Sequence, residues 1–112
     1  MHELAITESI VESVTQRLPD ARVVCVRLAI GRLSGVSVPS VEFCFGPATE
    51  DTGLAGARLV VDEPAGRMRC RACAAEFASD DLFAVCDCGS MDVDVIAGQE
   101  LLIRAVEVRG HV

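Results

Sequence analysis

Four cysteines in the middle of the chain constrain its fold more than any other feature. They read CRAC, twelve residues, then CDC, giving Cys70, Cys73, Cys86 and Cys88. Two short pairs on turns, separated by a hairpin's length of chain, can present four sulfurs tetrahedrally. Zinc prefers that arrangement, with thiolates at about 2.3 Å. Gly89, directly after the second pair, supplies the backbone freedom a metal knuckle needs. The expected role of the ion is structural, stapling a lobe with too little core to fold alone. Phe77, Leu82, Phe83 and Val85, between the pairs, are expected to cover the metal on one side. The competing reading is a redox pair or free thiols, and stoichiometric zinc in the purified protein would exclude a thiol oxidoreductase. Nothing resembles a secretory signal, which favours a metal site over a disulfide framework. Cys25 and Cys44 stand apart and are expected to be small core hydrophobes.

The rest of the chain suits one small domain with an inserted lobe. Of 112 residues, 51% are apolar, yet Trp and Tyr are absent and there are only four Phe. The core must therefore be aliphatic, and small enough for a staple to matter. Net charge is −7 and there is no Lys. Such a surface repels phosphate backbones, so no nucleic-acid partner is expected. Arg67, Arg69 and Arg71 flank the first cysteine pair and are expected to offset thiolate charge locally. No apolar run of 18 residues exists, and the start lacks a basic flank and a cleavage-type sequence. No membrane insertion is expected, and the expected location is cytoplasmic.

Hydrophobic spacing organises the body. Residues 4–18 read as an amphipathic helix, with Leu4, Ile6, Ile10, Val11, Val14 and Leu18 inward, Glu8 and Glu12 outward, and Pro19 as the stop. RVVCVRLAI (22–30) alternates as a strand, with Val24, Val26, Leu28 and Ile30 on one face. VPSVEFCFGPA suggests a second helix, with Pro39 in its first turn and Val41, Cys44, Phe45 and Ala48 as its stripe; Pro47 opposes helical geometry at Gly46. Residues 56–63 and 99–108 read as two more strands. The expected class is α+β: a small three-stranded sheet with two helices, plus an inserted loop-rich, zinc-ribbon-like lobe. The body comprises residues 1–63 and 98–112, and the lobe residues 64–97.

The N-terminus, MHELA, holds one of only two histidines. The α-amine of Met1, the amide nitrogen of His2 and its imidazole Nδ1 can close adjacent chelate rings on one ion. The α-amine titrates near ~7.7–8, and Met1 is expected to be retained ahead of a bulky residue. Deprotonated amides suit tetragonal or square-planar ions, which means Ni(II) or Cu(II). Glu3 adds a carboxylate able to orient the imidazole. The alternative is a solvated helix start at which Glu3 complements the dipole. His111, the second-last residue, is expected to lie in a tail.

Taken together, MHELAITESIVE, IGRLSGV, SVEFCF, CRAC…CDCGS and ELLIRAVEV resemble, in order and over nearly the whole chain, the HypA/HybF family. Its members are nickel-insertion accessory proteins of [NiFe]-hydrogenase maturation. The resemblance implies a nickel metallochaperone and not an enzyme. It puts transported Ni(II) at His2, with Met1 and Glu3 contributing through backbone atoms. It makes Cys70, Cys73, Cys86 and Cys88 the ligands of structural Zn(II). The second pair is one residue shorter than the family's usual C-x-x-C. Implied partners are the nickel-handling GTPase of the pathway, the hydrogenase large subunit and, for some members, urease accessory proteins. The reading from another class is a zinc-ribbon interaction or regulatory module with an inert N-terminus. No nucleophile–base pair or phosphate loop points to catalysis.

Overall fold

In the computed structural model, which describes residues 2–109, two helices and six strands follow one another along the chain. They are α1 (His2–Arg17), β1 (Val23–Ile30), α2 (Val38–Thr49), β2 (Arg58–Asp62), β3 (Arg67–Cys70), β4 (Glu76–Ala78), β5 (Val93–Ala97) and β6 (Leu101–Val108). They build two three-stranded sheets, ordered β2-β1-β6 and β4-β3-β5. The class is α+β, with two helices and small sheets. The chain divides into two compact units. One holds residues up to Leu28, Val36–Val61 and the chain from Ile103; the other holds Ala29–Gly35 and Asp62–Leu102.

In the first unit, α1 packs on α2. The buried stripe of α1 is Glu3, Thr7, Ile10, Val11 and Val14. This corrects the expected apolar face at both ends, because Leu4 and Leu18 are exposed. A carboxylate and a hydroxyl occupy the stripe because each finds a partner there. Thr7 Oγ1 donates to the Glu3 carbonyl at 2.7 Å, and Glu3 itself accepts from Ser37 N–H at 3.1 Å. On α2, Val41 and Phe45 are buried and Cys44 and Ala48 half-buried, as the spacing predicts. Ser37 caps the helix, its hydroxyl accepting from Ser40 N–H at 3.3 Å. The helix runs through Pro47 to Thr49. Proline withholds its hydrogen bond from the carbonyl four residues back, and here both Phe43 and Pro47 are exposed.

As the central strand of its sheet, β1 is buried at six of its eight positions, the exceptions being Val24 and Arg27. The expected one-faced alternation is therefore corrected: Val24 is exposed, while Val23, Cys25 and Ala29 are buried. A central strand is read on both faces, which erases the period-two signal.

The second unit is more ordered than a loop-rich reading implies. Strand β3 pairs antiparallel with both β4 and β5, including Met68↔Phe77 and Met68↔Val95. Leu33, Met68 and Ala84 form its buried cluster, with Phe77, Val93 and Val95 packed against it. These strands have three to five residues, too few to display periodicity. Residues 29–35 are bound into this unit by Leu33 N–H to Gly98 O at 2.7 Å and Arg32 N–H to Pro64 O at 3.0 Å. Gly98, at φ +103°, is a position where a Cβ would come within 2.6 Å of Gly66 Cα, so only glycine fits.

Candidate metal centres

The four cysteines converge. Cys70 ends β3, Cys73 closes the turn after it, and Cys86 and Cys88 flank the turn leading toward β5. All four Sγ atoms lie within 4.8 Å of one another. Cys70 and Cys88 are 3.7 Å apart, and Cys73 and Cys86 are 3.6 Å apart. A tetrahedron with zinc–sulfur bonds of about 2.3 Å has edges of about 3.8 Å. A disulfide would need about 2.05 Å. Two of the six edges match that tetrahedron and all lie within 4.8 Å, so the donor set is compatible with a zinc ion. Cys70 and Cys86 are buried and Cys73 and Cys88 exposed, so each turn contributes one sulfur from either side.

The two turns share one hydrogen-bond plan despite their different lengths. In the first, Ala74 N–H donates to Cys70 O at 2.9 Å and Cys70 N–H to Ala75 O at 2.9 Å. In the second, Gly89 N–H donates to Cys86 O at 2.8 Å and Cys86 N–H to Ser90 O at 2.9 Å. Each second-turn bond spans one residue fewer, so the shortened C-x-C still brings both of its sulfurs to the cluster. The residue after each pair is left-handed: Ala74 at φ +64° and Gly89 at φ +89°. Glycine takes that conformation freely, whereas alanine is strained by it.

Electrostatics leave the sulfurs in demand of a cation. The Cys73 amide, helped by that of Ala72, holds the Cys70 thiol down at about 7. At Cys73 the Ala75 amide pulls downward, but the sulfurs of Cys86 and Cys70, together with burial, push the thiol up to about 12. Cys88 is likewise raised: the Ser90 amide opposes the neighbouring sulfurs of Cys86 and Cys70 and loses. One thiolate is easily formed here, and further ones need a positive centre.

The nearby arginines do a different job from the expected one. Arg69 donates to Glu76 Oε2 at 2.7 and 3.2 Å, directly across the β3–β4 pair. Arg71 grips Asp94 at 2.6 and 3.0 Å and lies 3.8 Å from Asp92. Their charge is matched by carboxylates and not by thiolates. Cross-strand pairing of i with its opposite number is invisible in a linear sequence. The expected apolar cover is corrected too: Phe77 packs inward, but Leu82, Phe83 and Val85 are exposed.

The second candidate lies at the start of α1. His2 is the first helical residue, its side chain 65% exposed, with Nε2 3.4 Å from Glu3 Oε2. That contact occupies the ring nitrogen farther from the backbone. The first four amides of a helix have no intrahelical partner, so the helix makes no claim on the His2 N–H. Glu3 is almost wholly buried, and its carboxyl is held down at about 2, first by the Ser37 amide. Ser37 was not singled out by sequence reasoning, although a serine just ahead of Val-Pro is a recognisable cap signal. Met1 and His111 lie outside the described residues. Among the described residues, no helix is long and apolar enough to cross a membrane.

Comparison with known proteins gives concordant results. A family model described as hydrogenase/urease nickel incorporation, metallochaperone, HypA matches residues 1–108. The hydrogenase maturation factor HypA of Geotalea uraniireducens is 47% identical over 109 residues, covering 96% of this chain and 99% of that protein. The same factor from a Nostoc species is 43% identical over 108 residues, covering 96% of each chain. Among solved structures, the nickel metallochaperone HypA from Helicobacter pylori superposes with a TM-score of 0.64 at 20% identity, covering 99% of this chain and 100% of that one. Another HypA solution structure gives 0.68 at 22% identity, covering 97% of both.

Proposed function

This chain belongs to the HypA family of nickel-incorporation metallochaperones, and from that premise we propose that it carries Ni(II) at its own N-terminus for [NiFe]-hydrogenase maturation. The ligand set is the Met1 amine, the His2 amide and imidazole Nδ1, and the Glu3 backbone. Deprotonated amides with an imidazole make the planar field that suits Ni(II) and disfavours Zn(II). One observation carries the reading: His2 opens α1 with an exposed imidazole whose Nε2 faces the Glu3 carboxylate. A carboxylate on the outer ring nitrogen fixes the ring and raises the basicity of the other nitrogen, as in metal sites generally. Glu3 is in turn fixed by Ser37. The site is thus preorganised by a buried side chain yet open to solvent, which suits a carrier that must release its cargo.

The cysteine cluster supplies the second metal. Cys70, Cys73, Cys86 and Cys88 would hold Zn(II), which neutralises thiolate repulsion and staples the small unit built around Leu33, Met68 and Ala84. The labour divides between a nickel-holding body, expected as residues 1–63 with 98–112, and a zinc-holding lobe, expected as 64–97, whose compact unit takes in Ala29–Gly35 and Asp62–Leu102. The protein works by binding and transfer, without catalytic turnover, in the cytoplasm. It exchanges nickel with the GTPase of the pathway, delivers it to the hydrogenase large subunit, and extends to urease accessory proteins where those are present. Calorimetric titration of the zinc-loaded protein tests the central point. Wild type binds one nickel ion and His2→Ala loses that site; equal binding by both would sink the assignment.

A further inference from the structure

The turn that carries Cys86 and Cys88, with the segment leading into it, carries four exposed large apolar side chains. Phe83 is 84% exposed, Met91 70%, Val85 53% and Leu82 48%. They are not scattered. The Cys86 N–H to Ser90 O bond sets residues 85 and 91 on opposing arms of one tight turn. Along the first arm the pattern alternates: Ala84 and Cys86 point into the unit, and Phe83 and Val85 point out. Ala84 is anchored beside Leu33 and Met68. Two hydrogen bonds stiffen the approach, Phe83 N–H to Asp81 Oδ1 at 2.9 Å and Asp81 N–H to Ser79 Oγ at 3.0 Å. The outward side chains are therefore presented on a fixed backbone. Large apolar groups held outward on the two arms of one turn mark an interaction surface.

Charge selects the kind of occupant. Asp80, Asp81, Asp87 and Asp92, all exposed, flank the apolar residues along the chain. Of these, Asp80 lies 3.6 Å from Arg32 and Asp92 3.8 Å from Arg71, and the next cations in sequence, Arg71 and Arg104, are outside the 72–103 stretch that contains the patch. A second copy of this chain would bring the same aspartates against themselves, at a net charge of −7 per chain. An anionic lipid surface would be repelled likewise. We propose that Leu82, Phe83, Val85 and Met91 form a docking surface for a protein partner that offers an apolar groove bordered by Lys or Arg. Phe83 and Met91 are the anchors, since large, soft, fully presented side chains dominate such interfaces. The aspartates set orientation and speed of encounter. This surface is independent of the nickel reading and stands or falls without it.

The test uses zinc-loaded, full-length, isotopically labelled protein and two amphipathic helical peptides of one apolar pattern. One peptide carries Lys on its polar face, the other Glu. The Lys peptide is expected to shift amide resonances confined to residues 80–92, with affinity falling at least about tenfold in Phe83→Ser and in Met91→Ser. Both residues are exposed, so these variants fold. Shifts spread over the whole acidic surface, or affinity unchanged in both variants, would overturn the proposal. So would equal binding of the Glu peptide. Sedimentation equilibrium and flotation with anionic vesicles address the other occupants: a dimer or vesicle binding abolished by Phe83→Ser would also overturn it.

Discussion

The backbone N–H of Ser37 donates to Oε2 of Glu3 across 3.1 Å, tying the first turn of α1 to the cap of α2. The bond is stronger to the charged carboxylate than to the neutral acid, and it holds Glu3 at about 2 against an ordinary value of 4.5. A carboxyl depressed in the folded state adds stability above its unfolded value and loses it as pH falls toward the folded one. Wild type is therefore more stable than Glu3→Ala at pH 7. The gap closes between pH 4.5 and 2 in denaturation curves taken across that range. A gap independent of pH would mean that the carboxylate charge contributes nothing.

Ala74 occupies a left-handed position that its counterpart Gly89 fills without strain. Ala74→Gly should stabilise the folded, zinc-loaded lobe by about 1 kcal/mol, the approximate penalty of alanine in that region. The gain is offset in part by the added freedom of the unfolded chain. Denaturant titration of the zinc-loaded protein measures it. A destabilised variant would show that the φ at Ala74 is not a source of strain.

Arg71 sits inside the first cysteine turn and clamps it to β5 through Asp94, while its own N–H bonds Asp92 O at 2.9 Å. Arg71→Lys keeps the charge and loses the fork. Zinc affinity should fall by about threefold to tenfold, less than for a group bonded directly to a ligand. Competition against a chromophoric chelator reads this. Arg67→Lys, also exposed on β3, should change nothing.

Zinc loading should release protons. Cys73 and Cys88 are held protonated at neutral pH and must lose their protons to bind, and Cys70 joins them as pH falls below about 7. Zinc affinity therefore rises with pH, by at least about 100-fold per unit near pH 7 for about two protons released. Chelation at pH 6 should collapse amide dispersion for residues 62–102 while that of residues 2–28 persists. Calorimetry in buffers of different ionisation enthalpy counts the protons. A pH-independent affinity would contradict the thiolate account.

Legibility followed the length of each signal. The helix through Val14 and the strand through Leu28 are long enough for spacing to show, and the four cysteines declare themselves by type. What was hidden depends on neighbours distant in the chain. Glu3 and Thr7 look like solvent-facing residues until Ser37 and the Glu3 carbonyl take their hydrogen bonds. Arg69 and Arg71 look like a thiolate counterweight until β4 and β5 bring Glu76 and Asp94 within ion-pairing reach of them. Phe83 looked like cover for a metal because hydrophobicity does not say which way a side chain points. In this turn the inward positions belong to Ala84 and Cys86.

The proposed nickel site is built from the first three residues, and nickel-edge X-ray absorption tests them most directly. Nickel bound to the zinc-loaded wild type should show a planar nitrogen and oxygen shell, with the outer-shell scattering of one imidazole. His2→Ala should lose the imidazole signal. A glycine-serine extension ahead of Met1 should abolish planarity, because it removes the free amine. An unchanged spectrum in either variant, or sulfur in the nickel shell, would contradict the terminal chelate and move the nickel elsewhere in the molecule.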